Sequence, residues 1–283
     1  MEEAIKKANV LIEALPYIKK FHKKIVVIKY GGSILSEEKI RRGILEDIVF
    51  LSFMGLKPVL VHGGGPNISD RIRESGKKTE FIDGMRVTDE DTLTIVEDEL
   101  DKLNKMIVAE IVQIGAKAVG LNGKENIILA KKKKAKIDLG LVGEVAQVVT
   151  DNILDRLKSD TVVVVLPMGT GKDKKTYNIN ADEAASSIAS ALSAEKLVLL
   201  TNVKGIMRNP DDPHSFLSTL NTEEAKGLIS ENVINQGMIP KVQACVDALN
   251  NGVKKTHIID ARIPHGLLLE IFTDEGIGTE IVK

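Results

Sequence analysis

Short apolar runs, mostly β-branched, punctuate the chain at residues 25–28, 58–61, 118–121, 161–166, 197–200 and 256–259. Between them apolar residues return every three or four positions, the period of a helix that buries one face. These stretches predict helices over 37–54, 66–75, 90–114, 180–193, 222–231 and 238–250. Strands alternating with helices of such length predict an α/β fold on a mainly parallel sheet. Val162 to Leu166 contains no polar residue, which suits a strand covered on both faces.

Three stretches depart from the alternation. Residues 2–22 place Ile5, Ala8, Leu11, Ile12, Leu15 and Ile18 on one helical stripe interrupted by Pro16. Proline removes a backbone donor and crowds the preceding turn, so a kink is expected near Leu15. Residues 126–149 read as two strands, Ile127 to Ala130 and Gly143 to Val149, joined by a polar loop, and 168–178 as another hairpin. Lys131 to Lys134 fall in that loop and read as a solvated tip, because no aromatic residue or second basic cluster accompanies them.

Composition narrows the choice of function. A chain of 283 residues, 43% hydrophobic and 28% charged, can form one large domain or two lobes with a sizeable core. Its 39 basic and 40 acidic residues leave a net charge of -1, so no global field draws it to nucleic acid or an acidic membrane. The single cysteine, Cys245, excludes an intramolecular disulfide and reads as a buried small apolar side chain. No apolar leader core opens the chain and no run approaches the ~20 apolar residues of a membrane span, so a cytoplasmic protein is expected.

The candidate chemistry lies at the ends of strands. Lys29 leaves the first apolar run into Gly31-Gly32, where glycine lets backbone N–H groups approach an anion and the ammonium supplies charge. A second cluster, His62-Gly63-Gly64-Gly65-Pro66, follows the next run and precedes a helix whose first N–H groups suit an anion. His62 reads as a support for this turn rather than a metal ligand. Arg86, in Gly-Met-Arg-Val-Thr, is either a surface residue or a bidentate clamp for a carboxylate. In Asn178-Ile-Asn180-Ala-Asp182, the two asparagines are either a ligand-facing pair on an extended segment or a hairpin exit with a helix cap. Lys241 follows in Gly237-Met-Ile-Pro-Lys. Gly169-Thr-Gly-Lys172 fails as a P-loop, since Leu166 stands for its first glycine and Asp173 for its Ser or Thr; it reads as a hairpin tip.

Ile-Lys-Tyr-Gly-Gly-Ser, Val-His-Gly-Gly-Gly-Pro, Gly-Met-Arg-Val-Thr, Asn-Ile-Asn-Ala-Asp and Gly-Met-Ile-Pro-Lys occur in this order along nearly the whole chain. In this the chain resembles the N-acetylglutamate kinases of the amino acid kinase family. The resemblance implies a three-layer αβα sandwich and ATP-dependent phosphorylation of the side-chain carboxylate of N-acetyl-L-glutamate, the second step of arginine biosynthesis. It implies that Lys29 and Lys241 flank the transferring phosphoryl group, that Asp182 orients both, and that N–H groups around Gly32 and Gly64 help stabilise it. Arg86 and Asn178 would hold the substrate, with Gly64, Gly65 and Asn180 close by. ATP would meet Thr201, Asn202, Val203, Gly205, Met207 and Gly237, with Mg2+ held mainly through its phosphates. Asn202 departs from the aspartate more common in that loop.

The same resemblance extends to the arginine-inhibited branch. It implies residues 1–24 as a kinked helix for oligomerisation, 25–193 as a substrate lobe and 194–283 as an ATP lobe, assembled into a homohexamer, a trimer of dimers. L-Arginine would meet Tyr17, Lys196, Glu270 and Gly276; the bland alternative for Glu270 is a solvent-facing residue at a helix end. A PII-type signalling protein is a further partner the resemblance admits. Two other functions stay open: a non-catalytic arginine sensor, and a kinase of carbamate or glutamate.

Overall fold

The computed structural model describes residues 1–32, 37–82, 84–209, 211–234, 237–273 and 276–283, apart from the side chains at 4, 6, 7 and 213. The first half contains α1 (Glu2–Phe21), β1 (Ile25–Tyr30), α2 (Glu38–Phe53), β2 (Lys57–His62), α3 (Gly65–Glu74), β3 (Phe81–Ile82), β4 (Met85–Arg86), α4 (Glu90–Ile114), β5 (Lys117–Asn122), β6 (Ile128–Lys132) and β7 (Val142–Val148). There follow α5 (Asp151–Lys158), β8 (Thr161–Leu166), β9 (Met168–Gly171), β10 (Thr176–Ile179), α6 (Ala181–Ala191), β11 (Lys196–Thr201), β12 (Ile206–Met207), β13 (Phe216–Leu217) and β14 (Thr219–Asn221). The chain closes with α7 (Thr222–Ser230), α8 (Ile239–Asn250), β15 (Lys255–Asp260), α9 (Gly266–Phe272) and β16 (Thr279–Val282).

Eight strands form one sheet in the order β14-β16-β15-β11-β1-β2-β8-β5. Its pairings are parallel except β15 with β16. Alternation along each strand divides the core into two faces. Val27, Val59, Val61, Val163, Val165, Leu197 and Leu199 pack beneath α6 and α8. Val26, Ile28, Leu60, Val162, Val164, Val198 and Leu200 pack on the other side with α2, α4 and α9. Burying each such side chain is worth roughly 1.5–3 kcal/mol, which makes the sheet a stiff platform for whatever its strand ends carry.

The expected helices are present with ends shifted by a residue or two, and α1 runs from Glu2 to Phe21 with Pro16 inside it. The long α4 has a clear start and stop. Asp89 accepts a hydrogen bond from the Thr92 amide at 2.7 Å, and Gly115 ends the helix at φ 123°, a conformation that favours glycine.

The two hairpins expected at 126–149 and 168–178 form, but they also join. Strands β10, β7, β6 and β9 close into a four-stranded barrel, with β10 parallel to β7 and β6 parallel to β9. Gly169-Thr-Gly-Lys172 is the hairpin tip it was read as, with Gly171 N–H donating to Lys175 O. The lysine run is corrected: Lys131 and Lys132 belong to β6, and Lys133 is pinned 2.8 Å from the Glu183 carboxylate rather than standing free at a tip.

Candidate active site

Lys29 is the fifth residue of β1 and projects to the same face as Val27, toward α6 and α8. Asp182 lies in the first turn of α6, whose start is set by Asn180: its side-chain oxygen accepts from the amides of Asp182 and Glu183 at 2.8 and 3.2 Å. Lys241 lies in the first turn of α8, beside Pro240. A cation there opposes the helix dipole by about 0.3–1 kcal/mol, and a carboxylate nearby offsets this.

Asp182 is that carboxylate. Its Oδ1 lies 2.8 Å from Lys29 Nζ, and its Oδ2 accepts from Lys241 Nζ at 3.1 Å. Burial pushes the Asp182 carboxyl up, but the two ammonium charges outweigh it and hold the group below its ordinary value. Burial also pushes the Lys29 ammonium below its ordinary value, against the pull of Asp182. One buried carboxylate thus spaces two cations about its own two oxygens.

These three side chains line a cleft of about 360 Å3. The glycine turns form its floor: a Cβ on Gly32 would lie 2.7 Å from the Gly65 nitrogen and 3.0 Å from the Gly64 nitrogen, so only glycine permits this approach. Gly63 N–H donates to Tyr30 O at 3.0 Å and ties the end of β2 to that of β1. Arg86 comes from β4 and is buried; its Nη2 donates to Gly65 O and Ser69 Oγ, each at 2.9 Å, and its guanidinium lies 4.7 Å from the Phe81 ring centre. Burial lowers its pKa to about 10, so it remains a cation at neutral pH. Asn178, on β10, donates from Nδ2 to Thr88 Oγ1 at 3.3 Å. Lys29, Arg86 and Lys241 against Asp182 alone leave the charged lining of the cleft cationic, which suits two anions brought together.

The structure therefore brings together Lys29, Gly32, Gly64, Gly65, Arg86, Asn178, Asn180, Asp182, Thr201, Asn202 and Lys241 around one cleft. Val203, Gly205, Met207 and Gly237 lie outside its lining. Thr201 Oγ1 donates to Val203 O and accepts from Val203 N–H, which closes a tight turn after β11. Gly205, at φ 144°, packs against Thr279 and Phe216.

A profile of the amino acid kinase family matches residues 24–260. The chain belongs to this family. Among its relatives, the acetylglutamate kinase of Petrotoga mobilis is 50% identical over 283 residues, 99% of this chain and 95% of that protein. The acetylglutamate kinase of Heliobacterium modesticaldum is 46% identical, with all of both chains covered. Among solved structures, N-acetylglutamate synthase from Neisseria gonorrhoeae complexed with coenzyme A and N-acetyl-glutamate superposes with a TM-score of 0.88 at 28% identity, covering 98% of this chain and 63% of that one. Carbamate kinase from Giardia lamblia bound to AMP-PNP, at 19% identity and a TM-score of 0.69, shares the fold.

This amino acid kinase has a second convergence of predicted residues. Tyr17, Lys196, Glu270 and Gly276 line another pocket, of about 300 Å3, where α1 meets β11 and α9. Glu270 is buried rather than solvent-facing: its Oε1 lies 2.7 Å from His257 Nδ1 and its Oε2 accepts from Ile277 N–H at 3.2 Å. Burial pushes the Glu270 carboxyl up, and the His257 hydrogen bond and the charges of His257 and Lys196 bring it below its ordinary value. His257 escaped the sequence reading, although a lone histidine inside the apolar run 256–259 was a signal for it. Glu183 escaped as well; it ties α6 to the barrel through Lys133 and the Val145 amide.

Proposed function

We propose that the chain is an ATP-dependent kinase that phosphorylates the side-chain carboxylate of N-acetyl-L-glutamate, giving N-acetyl-L-glutamyl 5-phosphate and ADP. The observation that carries this is the Asp182-bridged lysine pair in one cleft with Arg86 and Asn178. It stands in a chain about half identical, over nearly full length, to acetylglutamate kinases.

The chemistry follows from charge. A glutamate-type carboxylate, with an ordinary pKa of about 4.3, is already an anionic nucleophile at neutral pH and needs no general base. The difficulty is to bring it to a phosphate and to stabilise the charge that spreads over the transferring group. Lys29 and Lys241 flank that group, Asp182 sets their spacing, and the N–H groups around Gly32 and Gly64 donate to its oxygens. Arg86 pairs with the substrate's α-carboxylate, and Asn178 and Asn180 help to hold it. Thr201, Asn202, Val203, Gly205, Met207 and Gly237 belong to the nucleotide side.

Magnesium accompanies the nucleotide. Asp182 is taken up by two lysines, and Mg2+ would be held mainly through the ATP phosphates, with waters filling its remaining positions. Measuring ADP release with N-acetylglutamate, glutamate, aspartate, carbamate and UMP tests the assignment. Turnover is expected with N-acetylglutamate; turnover with another acceptor only would defeat it.

A regulatory reading is favoured by the buried Glu270 in the second pocket. L-Arginine binds there through its guanidinium and inhibits by favouring one of two arrangements of the ATP lobe, residues 194–283, against the substrate lobe, residues 25–193. N-acetylglutamate synthase from Neisseria gonorrhoeae has been solved with coenzyme A and L-arginine, and superposes at a TM-score of 0.84 with 27% identity. Residues 1–24 carry exposed Ile5, Leu11, Ile12 and Leu15 and would interlace with other copies in a homohexamer. A PII-type protein is a candidate partner of that assembly.

A further inference from the structure

His62 is fully buried at the end of β2, and its side chain lies on the sheet face opposite to Lys29, the face packed by α4. Its two nitrogens meet different partners. Nδ1 lies 3.1 Å from Gly63 O, and Nε2 lies 3.1 Å from Asn104 Nδ2. Asn104, also buried, donates from the same nitrogen to Val164 O on β8 at 3.1 Å. A carbonyl only accepts, so the Asn104 atom facing it must be the amide nitrogen. Its second hydrogen then points at His62 Nε2, which must accept. The imidazole proton is left on Nδ1, aimed at the Gly63 carbonyl. Burial agrees with a neutral ring, lowering the pKa of His62 to about 4.

The Gly63 carbonyl is one end of the peptide whose other end is the Gly64 N–H. A trans peptide is planar, and its C=O and N–H point in opposite directions. Holding the carbonyl down toward His62 therefore turns the Gly64 N–H up into the cleft, beside Gly32. A donor on the carbonyl also polarises the peptide and makes its N–H a stronger donor. We propose that neutral His62, locked in one tautomer by Asn104, is a positioning residue for phosphoryl transfer: it aims the Gly64 N–H at the transferring group. The proposal rests on the kinase reading above.

Two near-isosteres separate this role from packing. In His62→Asn the side-chain amide nitrogen falls where Nδ1 was, so the Gly63 carbonyl keeps its donor. In His62→Gln the amide falls where Nε2 was, so the link to Asn104 survives and that donor is lost. Removing such a donor outright costs about 100- to 1000-fold in rate, and a donor that stays in place but is mis-aimed costs less. His62→Gln is expected to lower kcat about 10- to 100-fold with both KM values within about threefold, whereas His62→Asn keeps kcat within about threefold of the unmodified enzyme. Equal losses in the two variants, or none in His62→Gln, would overturn the proposal. In the unmodified protein, 15N spectra of labelled histidine should contain a neutral ring protonated at Nδ1, unchanged from pH 8 to pH 5 and missing in His62→Gln. A proton on Nε2 would overturn it even if a variant failed to fold. An unmodified chain inactive toward N-acetylglutamate would instead sink the kinase reading.

Discussion

At the scale of single residues, the active cleft depends on charges held where water would normally screen them. Asp182 sits between Lys29 and Lys241, and removing one partner of such a buried group typically costs 3–5 kcal/mol. Lys241 is the more exposed of the two lysines, so its loss should be felt in chemistry more than in folding. Lys241→Ala is expected to lower kcat by about 100-fold or more, while Arg86→Ala chiefly raises the KM for N-acetylglutamate. Steady-state kinetics showing the reverse pattern would refute both roles. His62 adds a pH dependence. It binds a proton below about pH 4 when folded and below its ordinary 6.5 when unfolded, so acid favours the unfolded chain across that window. Stability is therefore expected to fall as pH drops from 6.5 toward 4, by about 3 kcal/mol from this group, and urea titrations of His62→Asn should have a shallower acid slope.

At the scale of elements, most of the secondary structure was readable from periodicity, and its reasons are local. The 90–114 helix has a capping aspartate at its start and a glycine at its end. Asn104 was hidden in the same pattern: it falls on the stripe of Leu100, Leu103, Ile107 and Ile111, a polar residue at a core position. That anomaly was a signal for the His62 network. Strand β5 supports it, because a Cβ on Gly120 would overlap Asn104 Oδ1. Gly120→Ala should displace Asn104, cost about 1–3 kcal/mol of stability and lower kcat in the manner of His62→Gln. Unchanged kcat in a folded Gly120→Ala enzyme would mean that Asn104 does not act through His62. The barrel was not readable. Its hairpins each carry a strand signal, but the parallel pairs β10 with β7 and β6 with β9 join segments that no turn connects.

At the scale of the whole molecule, two pockets lie near opposite ends of the parallel strands. Lys29, Thr201 and Asn202 reach the active cleft from the carboxyl ends of β1 and β11, whereas Lys196, at the start of β11, faces the second pocket. Any influence of one on the other must pass through the sheet or through the elements packed on it. Helix α1 contributes Tyr17 and Lys20 to the second pocket while its exposed stripe faces outward. Under the proposed inhibition by arginine, a chain starting near Lys23 is expected to keep turnover and to respond to arginine far less than the full chain. Equal inhibition curves for the long and short chains would remove α1 from the regulatory role.

Periodicity and turn chemistry carry what is local: which stretches become strands, that the sheet is mainly parallel, and that glycine clusters end two of its strands. Motif order carries the family and the reaction it implies. Neither specifies distance between residues far apart in the chain. That Asp182 lies about 3 Å from both lysines, one of them more than a hundred residues upstream, follows from packing α6 and α8 on one sheet face. The second pocket likewise needs α1, β11 and α9 together. The His62 network needs the opposite face, where α4 meets β2, β5 and β8. Side-chain burial and hydrogen-bond geometry are properties of such neighbours, and they exist only once the layers have closed.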